Sequence, residues 1–144
     1  MSMYRRTVVT FAALVALTPI ASAGAQSVDL VARVPFEFTV GTTSLPRDTY
    51  QLSRLNDHPD MLLVRSGRKG VMIRADVVGP ERRAATPSLL FHRYGDQYFL
   101  REIRLEGNRR LDLPETEAER DAAEGRGNRS AAVMQTVVVS GQRQ

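Results

Sequence analysis

From Val28 to Val40 the chain alternates over thirteen positions. Val28, Leu30, Ala32, Val34, Phe36, Phe38 and Val40 share one side, and Asp29, Val31, Arg33, Pro35, Glu37 and Thr39 the other. A period of two predicts a strand with one buried face. Pro35 has no N–H for a ladder, so it marks an edge or a bend that splits the run. Gly41 ends it. Leu45-Pro46-Arg47-Asp48 reads as a turn, with the backbone angle of Pro46 preset and Asp48 able to accept from nearby amides. Tyr50, Leu52 and Leu55 continue in a returning strand.

Asn56 to Asp60 reads as a loop by composition. Met61 to Arg65 is a short apolar strand, and Ser66 to Gly70 a hairpin connection. In Val71 to Val78, the residues Val71, Ile73, Ala75 and Val77 share a face. Gly79-Pro80 stops that strand, and Glu81 to Pro87 is polar loop. Two aromatic-rich runs around Gly95-Asp96 predict a second hairpin. Leu89 and Phe91 are expected to share a face with Phe99, Ile103 and Leu105, in a register that a one-residue slip would invert.

After residue 112 the composition changes. Pro114 to Glu124 is acidic and Ala-containing, with Glu115 and Glu117 suited to a helix N-terminus. Its glutamates are expected in solvent, and only Ala118 and Ala122 are available to bury. The valines of Ala131 to Gly141 would be an aggregation hazard if left free, so this segment is expected to return to the sheet as a final strand. The whole predicts an all-β fold: an antiparallel sandwich or small barrel of about seven to nine strands, with one short polar helix near the C-terminus.

The N-terminal residues read differently. Arg5 and Arg6 precede an apolar run, Val8 to Ile20, followed by small-x-small sites at Ala21–Ala23 and Ala23–Ala25. That order predicts a secretory signal peptide, and the run is short for a membrane span. The expected organisation is therefore a cleaved signal at 1–25, a β-domain at 26–112, a polar helical or disordered segment at 113–130, and a C-terminal strand and tail at 131–144. No transmembrane span is expected after cleavage. The expected location is the periplasm or the extracellular space.

Charge and composition narrow the chemistry. The net charge of +4 falls to +2 without Arg5 and Arg6. Lys69 is the one Lys in the chain, and the arginines are scattered among acids instead of forming a block. The chain has no Cys, which removes disulfides, thiol catalysis and thiolate metal sites. With two His in all, His58 and His92, a converging metal site is not expected, and no cofactor motif is present. No G-x-S-x-G surrounds Ser53, Ser66 or Ser88, and no Gly-rich phosphate loop occurs. Nucleic acid is not an expected partner of an exported chain. A lipid-spanning barrel would need Arg33, Glu37, Arg74 and Asp76 all inside.

The candidate site is the aromatic hairpin: Phe91, His92, Arg93, Tyr94 and Tyr98. Such a patch could grip a peptide or a sugar ring. Cross-strand packing that fixes the hairpin is the favoured reading of the same pattern, and the absence of Trp weakens the sugar version.

Two motifs, "VPFEFTVGTTSLPRDTYQL" and "LLFHRYGDQYFLREI", resemble those of a group of small exported bacterial all-β proteins of unknown function. In that group a V-P-F-x-F-x-V-G segment leads to L-P-A-G-x-Y, and an F-x-R-Y-G-x-x-Y-F-L hairpin follows. This chain departs at Arg47-Asp48, where the pattern has Ala-Gly. The resemblance implies export and a β-fold and brings no catalytic residues. "QTVVVSGQR" is similar to the Ton-box peptides of TonB-dependent transporters, which implies strand addition, although here the segment is C-terminal.

The expected function is a non-enzymatic exported β-domain that binds a protein or a cell-envelope component by a sheet face or edge. Two alternatives stand beside it: a small hydrolase or ligand-binding barrel using His92, Arg93, Tyr94 and Asp96, and assembly or adhesion by C-terminal strand addition. Nothing in the pattern sets an oligomeric state.

Overall fold

The computed structural model of the chain describes residues 28–55, 57–79, 86–107, 109–125 and 134–142. The expected signal peptide, the polar stretch 81–85 and the connection 126–133 lie outside the described residues. Within them are eleven strands and one helix.

The alternating run is two strands. β1 (Leu30–Val34) buries Leu30, Ala32 and Val34. Regular pairing stops at Pro35, as its missing N–H dictates, and resumes in β2 (Phe38–Val40) with Phe38 and Val40 inside. The chain then turns at once through Gly41 and Thr42 into β3 (Thr43–Leu45), with Val40 opposite Thr43. Gly41 has a φ of 59°, the left-handed backbone that a tight hairpin demands and glycine adopts freely. An extra hairpin thus sits where a plain loop is expected.

β4 (Asp48–Leu55) returns antiparallel to β1. The Tyr50 hydroxyl donates to the Pro46 carbonyl and ties the preceding turn to the strand. β5 (His58–Ser66) starts earlier than the composition of Asn56 to Asp60 predicts: His58 faces Leu55, and the Asp60 carbonyl accepts the N–H of Ala75. Backbone pairing has overridden the turn-like composition, and His58 and Pro59 stay exposed. β6 (Lys69–Arg74) and β7 (Asp76–Val78) follow the Gly67–Arg68 turn. Ile73 and Ala75 are buried, but the ladder ends at Arg74, and beyond the break at Ala75 Val77 is exposed instead of continuing the inward phase.

β8 (Ser88–Tyr94) and β9 (Gln97–Leu105) form the expected second hairpin around Gly95 and Asp96. β10 (Arg109–Asp112) pairs with β9 and also with β7. β11 (Met134–Gln142) is the returning final strand, running beside β8 from Met134 to Ser140 and reaching β1 at Gly141 and Gln142.

Nine of the eleven strands of one sheet run in the order β3-β2-β9-β8-β11-β1-β4-β5-β6, and β10 leads from β9 back to β7, which follows β6 in the chain. The sheet so returns on itself as an almost-closed β-barrel. Pairing is antiparallel except for one parallel bridge, Thr39 to Phe99.

The interior is apolar. Leu30, Val34, Phe38, Tyr50, Leu52, Leu62, Phe91 and Ile103 are all nearly inaccessible. Phe38 meets Tyr50 and Phe91 edge-on, each at 5.2 Å between ring centres, the geometry that aromatic quadrupoles favour. Burial of each such side chain contributes about 1.5–3 kcal/mol relative to exposure. Arg33, Arg65 and Arg74 lie outside. Apolar within and charged without is the reverse of a lipid-spanning barrel. No helix among the described residues is long and apolar enough to cross a membrane.

Candidate functional site

The β8–β9 hairpin carries a bulge that decides what its two faces present. Phe91 pairs with Leu100 but Leu90 pairs with Glu102, so Arg101 has no opposite number. The extra residue changes the phase of β9. Leu89, Phe91, Leu100, Ile103 and Leu105 all join the core, whereas Phe99, expected beside them, pairs with His92 and lies outside that core cluster. A bulge of this kind re-aims side chains without ending the strand.

The freed Arg101 carbonyl accepts the N–H of Leu113. Leu111 and Leu113 are buried, and they lead the chain into α1 (Glu117–Ala123). Thr116 caps the helix, its hydroxyl accepting from the Glu119 amide at 3.3 Å. Helix formation begins later than Pro114 suggests because the cap is Thr116 and not a residue before the proline.

The helix is held by a carboxylate. Glu119 is 1% exposed, which corrects the expectation that the glutamates of this segment stay in solvent. Its Oε1 accepts from Nδ1 of His92 at 2.9 Å and from the Tyr94 hydroxyl at 3.3 Å. Its Oε2 accepts from Nη1 of Arg101 at 2.8 Å. A carboxylate accepts only, so this contact assigns the proton to Nδ1 of His92. Arg101 meets Glu119 by one nitrogen, and its Nε is buried without a hydrogen-bond partner among the described residues. Tyr94 lies 6.0 Å from Phe99, ring centre to ring centre, and completes the layer under α1. Burial first, and then the negative charge of Glu119, pushes the Tyr94 hydroxyl above its ordinary pKa.

The five sequence-predicted residues therefore separate. His92 and Tyr94 join Glu119 and Arg101 beneath the helix. Phe91 is 0% exposed and belongs to the core. Tyr98 stacks on Phe36 with ring centres 3.8 Å apart and planes 13° apart, and Phe36 in turn meets Phe91 edge-on. The Arg93 guanidinium lies over the Tyr98 ring at 5.3 Å, while its Nε donates to the Gly95 carbonyl. Asp96 is exposed at the turn, on a cleft of about 500 Å³ with Glu37, Gln97 and Tyr98.

Sequence reasoning missed Glu119 and Arg101. One signal was present: Thr116-x-x-Glu119 has capping-box spacing. The side chain does not complete that box; it extends to the hairpin. Both oxygens of the Glu119 carboxylate are engaged by the protein. Among the described residues no group of three or more His, Asp or Glu side chains could hold a metal, and exposed His58 stands in β5 away from this cluster.

A second candidate region is β11. Val138 is 54% and Met134 47% exposed, and Met134–Val139 pairs with β8 along one edge only. No protein-family model, curated protein or solved structure matches the chain.

Proposed function

We propose that the chain is an exported, non-enzymatic β-domain that binds a protein or another component of the cell envelope through a sheet edge. The observation that carries this reading is the open edge of β11. From Met134 to Val139 its second edge bears no strand among the described residues. Natural edges are guarded by charge or proline, and Met134–Gln142 contains neither. Backbone N–H and C=O groups left on such an edge accept an extended peptide as a further strand. Saturation of Glu119 supports a structural and not a catalytic role for the hairpin cluster, and the pattern of residues 1–25 supports export.

Capture from an envelope fraction tests it, with the intact protein and with Val138→Lys. A partner retained by the first and lost by the second supports the reading. Equal profiles, or no partner for either, remove it.

Assembly is a second reading, and one observation favours it. Because β11 is uncharged, pairing it antiparallel with a second copy sets no like charges opposite each other. Sedimentation over a range of concentrations separates the two: self-association that Val138→Lys abolishes selects assembly.

A further inference from the structure

We propose that the cleft between β1 and the β3–β4 turn is an anion site that takes a phosphate group. It is a cleft of about 470 Å³, lined by Arg33, Val34, Pro35, Arg47, Asp48 and Thr49, within the size range of small-molecule sites. Arg33 and Thr49 stand opposite each other across β1 and β4. Arg33, Arg47 and Thr49 are all exposed. Neither the Arg33 nor the Arg47 guanidinium has an ion-pair or hydrogen-bond partner among the described residues, whereas those of Arg54, Arg74, Arg101 and Arg104 each face a carboxylate.

Asp48 is the one acid in the lining, and both its oxygens are committed. Oδ1 accepts the Thr49 amide at 2.7 Å, and Oδ2 accepts the Ser66 hydroxyl. The Ser66 bond also ties the β5–β6 hairpin to this end of the barrel, which brings exposed Arg65, Arg68 and Lys69 to the same end. Two cations and one acid thus line the cleft, and strand register sets three more cations, from residue 65 to 69, at the same end of the barrel. Guanidinium forks match phosphate oxygens in pairs, and the Thr49 hydroxyl can add a donor. This site gives a ligand chemistry to the binding reading above and rests on that reading only for where the ligand is met.

The test uses pyrophosphate titrated into the protein and followed by the backbone amide resonances of Arg33, Arg47 and Thr49. Saturable shifts are expected, weakening as salt is raised. Arg33→Gln and Arg47→Gln should each weaken binding on the order of tenfold, as loss of a charged hydrogen bond does. Arg74→Gln, which touches Asp60 on another part of the barrel, should leave it unchanged. Co-sedimentation with vesicles of phosphatidylcholine, with and without phosphatidylglycerol, distinguishes the source. Binding to pyrophosphate alone selects a soluble phosphate ester, and binding that needs the anionic vesicle selects a lipid headgroup. No saturable binding to either probe, or binding that survives the double Arg33→Gln/Arg47→Gln variant, overturns the site. Envelope capture that depends on Val138 would then still stand, so the two proposals fail separately.

Discussion

Glu119 reaches back across 27 residues of sequence to place its Oε1 2.9 Å from Nδ1 of His92. The same carboxylate takes Nη1 of Arg101 on its other oxygen. One acid from a seven-residue helix thereby fastens α1 to the outer face of the β8–β9 hairpin. A helix this short does not persist in water unaided, so its docking must supply the stability.

Glu119→Ala is expected to leave Arg101 without its carboxylate and to free α1. Breaking a buried ion pair costs about 3–5 kcal/mol. His92 and Arg101 keep partial access to water, so about 2–3 kcal/mol is the expected loss here. Urea unfolding with a near-ultraviolet signal from Tyr94 measures it. Glu119→Gln should lose less, since the amide oxygen still accepts from one side of the cluster, either His92 and Tyr94 or Arg101. Equal stability in Glu119→Ala would show that the helix is held by other contacts.

Alkaline pH should loosen the same layer. The folded-state pKa of Tyr94 is raised above 10.0, by burial first and then by Glu119. A raised pKa means the folded protein holds that proton more tightly than the unfolded chain. The contribution is therefore fully present below the unfolded value and lost as pH rises through the folded one. Tyr50 shifts the same way, through burial and Asp48. Unfolding midpoints should fall above about pH 10, and Tyr94→Phe should flatten part of that slope. A slope identical to wild type in Tyr94→Phe would refute the assignment.

At the acid end the sign reverses. Burial of Asp29 pushes its carboxyl up, but the hydrogen bonds from Nε and the backbone N–H of Arg54 outweigh it and hold the pKa below 3.8. Nη2 of Arg54 closes the fork at 2.9 Å. A depressed pKa adds stability that is present above the unfolded value and is lost as pH falls through the folded one. Asp29→Asn should lower stability at pH 7 and show a shallower acid limb below about pH 4. Parallel acid limbs in the two proteins would remove Asp29 as the source.

Strands were legible wherever one face is apolar at period two: Leu30, Ala32 and Val34 fall inside as the alternation requires. What interrupts the period was not. Nothing in "FLREIRL" marks Arg101 as the bulged residue, yet that residue sends Phe99 to the helix side and Ile103 to the core. Glu119 was hidden for another reason. Composition describes the average of a segment, and the segment is polar; the burial of one acid depends on donors supplied from two strands far away in sequence. The basic end of the barrel was hidden likewise, because Arg33, Arg47, Arg65 and Arg68 come to one end only through the successive β1–β4, β4–β5 and β5–β6 pairings.

Gly141 marks where β11 leaves β8 for β1. A Cβ built there would stand 2.2 Å from Cδ1 of Leu30 and 3.2 Å from the Val31 carbonyl oxygen. Leu30 is fully buried, so making room means moving a packed core side chain. Gly141→Ala is expected to cost about 1–3 kcal/mol by overpacking, measured by chemical denaturation. Leu30→Ala alone should cost about 2–5 kcal/mol, and the double variant should lose less than the sum of the two, since it removes the atoms in the way. Additive losses in the double variant would contradict a direct clash.

Truncation bears on what β11 is for. The strand joins the barrel by seven residue pairs with β8 and two with β1, and Val137 and Val139 pack against the core. Deleting residues 132–144 should therefore unfold or greatly destabilise the domain, so loss of a partner in that variant says nothing about the edge. Val138→Lys is the informative change: its side chain is exposed, and a charge there guards the edge as natural sheets do. Stability should change by no more than about 0.5 kcal/mol, the range for exposed sites, while strand addition is lost. A Val138→Lys protein that keeps both its stability and every partner would leave the β11 edge without a role in binding.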